Sequence, residues 1–78
     1  MKFTKIEAGK YQTEHKGYTA IVENTEERSF YGRVIWDITI KDNEGNIKLI
    51  TATDENGNDT DTMKAAKAEA IRILSEQL

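Results

Sequence analysis

Few side chains in this sequence can do chemistry: one histidine, no cysteine, and serines at 29 and 75. His15 stands in H-K-G, a turn sequence, and a general base needs an orienting partner and a substrate pocket. Neither is signalled around it, so it is expected at the solvent. Ser29 and Ser75 lack the G-x-S-x-G context of an activated serine. There is no P-loop and no G-x-G-x-x-G. The run D-E-N-G-N-D-T-D at 54–61 approaches a calcium loop. An EF-hand beginning at Asp54 would require Gly at 59 and Glu at 65. Asp59 and Ala65 occupy those positions. The expectation is a protein that is not an enzyme and holds no metal and no cofactor.

Carboxylates are the more informative chemistry. An up-and-down antiparallel sheet would gather Glu23, Glu26, Glu27, Asp54, Glu55, Asp59 and Asp61 at one end, with Arg28 the nearby offset. A helix start at that end favours anions through its dipole. Seven acids exceed what capping requires, so the end is a candidate surface for a protein partner with a basic groove.

The elements that must position these residues are legible in the hydrophobic pattern. Met63, Ala66, Ala70, Ile73, Leu74 and Leu78 recur in steps of three and four, which predicts a helix over 63–78. Asp61 or Thr62 is placed to cap it, and Arg72 to pair with Glu69 and Glu76. Upstream, Val34, Trp36, Ile38 and Ile40 alternate with Arg33, Ile35, Asp37, Thr39 and Lys41 in a strand pattern. D-N-E-G-N at 42–46 reads as a turn, and Ile47, Leu49 and Thr51 continue the same face beyond it. A second hairpin is expected from 10–14 and 18–24. Either Tyr18, Ala20 and Val22 or Thr19, Ile21 and Glu23 face inward there. Residues 3–7 add an edge strand or fray. The fold class is α+β: one domain over 1–78, a three- to four-stranded antiparallel sheet in β-β-β-β-α order, with the helix on one face.

One helix covers one face of a sheet, which leaves Ile35, Ile50 and Ala52 on the other. They are a candidate dimer face. With 37% hydrophobic and 32% charged residues, the chain has the composition of a folded domain and not of a disordered tail. No apolar run approaches a membrane span, and no apolar stretch follows the basic residues at the start, so neither a membrane nor a secretory signal is expected. The expected location is the cytoplasm. A net charge of −3 argues against nucleic acid as a partner.

The segment 36–74 carries W-D-I-T-I, a turn at Gly45, another strand and T-M-K-A-A-K-A-E-A at 62–70. It resembles the three-stranded-sheet arm-binding domain of phage integrases, which reads the DNA major groove with its sheet. It is similar also to short phage and mobile-element accessory proteins, some of which inhibit host defences such as CRISPR systems. The first resemblance implies a basic sheet face, with Arg33, Lys41 and Lys48 on phosphates. The second implies a small phage-encoded inhibitor that binds a host protein in the cytoplasm of the infected cell. Of these the protein-binding module is the preferred expectation, with the DNA-binding domain and a structural homodimer as alternatives.

Overall fold

A computed structural model of the chain describes residues 2–28 and 31–78; Ser29 lies outside the described residues. Among these, five strands form one antiparallel sheet in sequential order: β1 (Thr4–Glu7), β2 (Lys10–His15), β3 (Tyr18–Arg28), β4 (Val34–Lys41) and β5 (Ile47–Thr51). One helix, α1 (Met63–Glu76), follows. The class is the expected α+β, with five strands in place of three or four. The extra strand is β1, whose four residues are all exposed and so left no apolar signature.

Register settles which face of β3 is buried. Ala20 pairs with Ile40 and Val22 with Ile38, and all four are fully buried. Their neighbours Thr19, Ile21 and Glu23 therefore point to the opposite face. The helix lays Ala66, Ala70, Ile73 and Leu74 on this patch to complete the core. Two alanines in its middle let its backbone approach β3 and β4 closely. Trp36 packs at the margin of this core and not at its centre, 6.5 Å from the ring of Tyr11. Thr62 caps the helix by accepting from the Ala65 N–H at 3.0 Å. On the flank nearest β2, the Lys67 ammonium stands 4.1 Å from the ring centre of Tyr11 and 5.3 Å from that of Phe3.

Within the run at 54–61 that approaches a calcium loop in sequence, residues 54–58 form a second copy of the 42–46 turn. In each, the first Asp Oδ1 accepts two backbone N–H groups: Asp42 from Glu44 and Asn46, both at 2.9 Å, and Asp54 from Asn56 at 2.9 Å and Asn58 at 3.0 Å. Gly45 and Gly57 take φ of 87° and 82°, a region other residues enter at a cost. The chain returns through an antiparallel bridge from Thr53 to Asp59. Thr60 then wedges between strands. Its N–H donates to Ala52 at 2.9 Å, its carbonyl accepts from Trp36 N–H at 2.9 Å, and its hydroxyl donates to the Trp36 carbonyl at 2.7 Å. This buried residue locks the entry of the helix to the sheet.

Candidate functional site

The outer face of the sheet, away from α1, is where the charges meet. Cross-strand register puts Lys10 opposite Glu23 and Glu23 opposite Asp37. Two carboxylates directly opposite each other on adjacent strands repel. Asp37 is half-buried in the middle of this face. Its pKa is raised above the ordinary carboxylate value, first by burial and then by the Glu23 and Glu27 carboxylates. Glu27 comes near because β3 is eleven residues long and irregular between Asn24 and Arg28. At that irregularity Glu26 takes φ of 64°, and the Asn24 and Thr25 side chains accept from the N–H groups of Glu26 and Glu27.

The seven acids expected at one end fall into three places. Glu23, Glu26 and Glu27 run along β3, with Glu23 and Glu27 converging on Asp37. Asp59 and Asp61 flank Thr60 at the start of the helix, where Asp61 pairs with Arg33 at 3.5 Å. Asp54 and Glu55 form the tip of the second turn. The carboxylate of Asp54 is occupied by that turn, and the backbone N–H of Asn58 leads the interactions that lower its pKa. Glu55 reaches Arg72 at 3.8 Å. Arg72 is nine residues on from Met63, about 14 Å along the helix axis, so Glu55 engages α1 far from the helix start that Asp61 precedes. Arg72 also binds Glu69 through two hydrogen bonds, at 2.8 and 2.6 Å, and Glu76 at 3.3 Å. Its pKa is raised, chiefly by Glu69, which accounts for the burial of that glutamate.

In the sequence Asp37 is one polar position of an alternating strand, with nothing to single it out. Its cross-strand partner becomes visible only once the register of β3 against β4 is known. Of the cations expected on this face, Lys48 pairs with Asp42 at 3.7 Å and Arg33 with Asp61. Lys41 stands at the far end of β4, opposite Thr19. Ile50 on this face is 58% exposed, while Ile35 and Ala52 are half-buried. They do not adjoin as one apolar patch: Asp37 and Thr39 stand between Ile35 and the row of Ile50.

A shallow concavity of about 610 Å³ lies where the β2–β3 and β4–β5 turns meet, lined in part by Glu14, His15, Thr19, Ile21 and Lys41. No oriented acid–base pair lines it. Among the described residues no group of three or more His, Cys, Asp or Glu side chains is placed to hold a metal ion. No helix among them is long and apolar enough to cross a membrane. Comparison with protein-family models, curated proteins and solved structures finds no match for this chain.

Proposed function

We propose that the protein is a non-enzymatic binding module that presents the acidic band Glu23, Glu27 and Asp37 to a basic surface of another protein. One observation carries this reading. Asp37 is held among like charges, half-buried, on a sheet face that no element among the described residues covers. Such an arrangement opposes folding, and a cationic partner would relieve it. Arginine suits the role best, because its planar guanidinium can bridge two carboxylates at once. The exposed carboxylates Glu26 and Asp59 extend the same charge toward the helix start and would steer the approach of a partner. Against a nucleic-acid role, two of the three cations assigned to the sheet face are already engaged by carboxylates, and the band itself would repel phosphates. Inhibition of a host nucleic-acid-handling protein, by occupying its basic groove, is the form of activity this surface fits.

The test is capture from a nuclease-treated cell lysate on the immobilised protein, eluted with a salt gradient. The expected result is a specific basic protein, released by moderate salt and absent when the bait carries Glu23→Gln, Glu27→Gln and Asp37→Asn together. A partner retained equally by that variant would show that the band is not the binding surface.

A further inference from the structure

The tip of the second turn sets a side-chain amide beside the backbone nitrogen best able to attack it. Asn56 is followed by Gly57, the one Asn-Gly step in the chain. The other asparagines, at 24, 43, 46 and 58, precede Thr, Glu, Ile and Asp, whose side chains crowd the backbone nitrogen. Glycine has no Cβ to do so. A Cβ added to Gly57 would meet nothing within 4 Å, so the space around it is open. Both Asn56 and Gly57 are exposed. The first turn supplies the comparison. There the Gly45 N–H donates to the Asp42 carbonyl at 3.1 Å, as the Gly57 N–H donates to that of Asp54 at 3.0 Å. At the position of Asn56 the first turn carries Glu44, which has no amide to lose.

We propose that Asn56 is a modification site written into this turn, where spontaneous loss of the side-chain amide converts it to aspartate and isoaspartate. The Gly57 nitrogen gives up its proton and attacks Cγ of Asn56. An N–Cγ bond closes a succinimide ring, the bond from Cγ to the side-chain nitrogen breaks, and ammonia leaves with the proton. Water then opens the ring. Cleavage of the new N–Cγ bond leaves aspartate. Cleavage between that nitrogen and the backbone carbonyl leaves isoaspartate, with the main chain routed through the side-chain carbons. The folded turn restrains the reaction. Its attacking nitrogen is tied through N–H to the Asp54 carbonyl, and the Asp54 carboxylate holds the N–H groups of Asn56 and Asn58 on either side. Attack needs that nitrogen released, so the turn must open first, and the rate follows the population of the open form. Isoaspartate then adds a methylene to the main chain between the two N–H groups that share Asp54 Oδ1, which spoils their fit to one oxygen. The turn feeds the Thr53–Asp59 bridge and then Thr60, so the modification loosens the seat of α1. This site is independent of the acidic band.

Peptide mapping by mass spectrometry tests the site, during incubation of the whole chain in mildly alkaline buffer at physiological temperature. An isoaspartyl methyltransferase labels the isoaspartate formed. Asn56 should exchange its amide for a carboxyl well before any other asparagine. Glu44→Asn keeps the backbone bonds of the first turn and should create a second site there, lost at a comparable rate. Asp54→Ala frees the turn and should speed the loss at Asn56 by about tenfold or more, the scale set by hydrogen bonds to a charged group, with the circular dichroism spectrum kept. Protein converted to isoaspartate should melt below Asn56→Asp, which carries the new charge without the added methylene. Conversion of Asn43 or Asn46 as fast as Asn56 overturns the proposal. So does a Glu44→Asn chain in which neither turn reacts. Equal rates in the wild type and Asp54→Ala overturn the restraint assigned to the turn.

Discussion

Asp37 is the residue on which function and stability oppose each other. Because its pKa is raised in the folded state above the ordinary 3.8, the native protein holds more protons than the unfolded chain between those two values. Stability therefore falls as pH rises through that window, and above it the full penalty is present. Asp37→Asn removes the penalty while keeping the shape. The variant should be more stable at pH 7 by roughly 0.5 kcal/mol, the scale of one cross-strand pair, which raises Tm by about 2–4 °C in a domain of this size. Thermal melts as a function of pH should show the gain shrinking as pH falls and vanishing below about pH 3.8. Asp42 and Asp54 have the opposite sign. Their pKa values are lowered, chiefly by backbone N–H groups of Asn46 and Asn58, so the turns they hold are stable above the ordinary carboxylate range and loosen as it is crossed downward.

At the scale of elements, the second turn and Thr60 decide where the helix meets the sheet. Thr60→Val keeps the volume but removes the hydroxyl that donates to the Trp36 carbonyl. Leaving that carbonyl short of a partner in a buried place should cost about 1–3 kcal/mol, read by urea unfolding with an unchanged m-value. This element was present in the sequence as a repeat: D-E-N-G-N at 54–58 copies the pattern of D-N-E-G-N at 42–46. The segment lacks the ligands of a calcium loop, and its likeness to the turn twelve residues earlier predicts a hairpin. The helix was legible because its apolar spacing, Thr62 cap and Arg72 pairs are local. β1 was not fully legible, standing open between an edge strand and a frayed end, since an exposed edge strand has no buried face to impose alternation. Nor was the inward face of β3, where Ile21 and Val22 are equally apolar and only pairing with Ile38 separates them. The acidic band needed the same pairing, since Glu23 and Asp37 lie on different strands and nothing local brings them together.

Over the whole molecule, the core is one layer of side chains between the sheet and α1, with Ile38 and Ile40 at its centre. A chain of 78 residues has little stability in reserve. Ile38→Ala should cost about 2–5 kcal/mol, enough to leave a substantial unfolded fraction at 37 °C by circular dichroism. Every other side chain of the outer sheet face is spared from core packing, which leaves that face available for contact. Titration of the 15N-labelled protein with an arginine-rich peptide, followed by NMR, tests the acidic band most directly. The account predicts amide shifts concentrated at Glu23, Glu27 and Asp37 and abolished by Asp37→Asn together with Glu23→Gln. Shifts spread evenly over the acidic residues, or centred on Asp54 and Glu55, would contradict it.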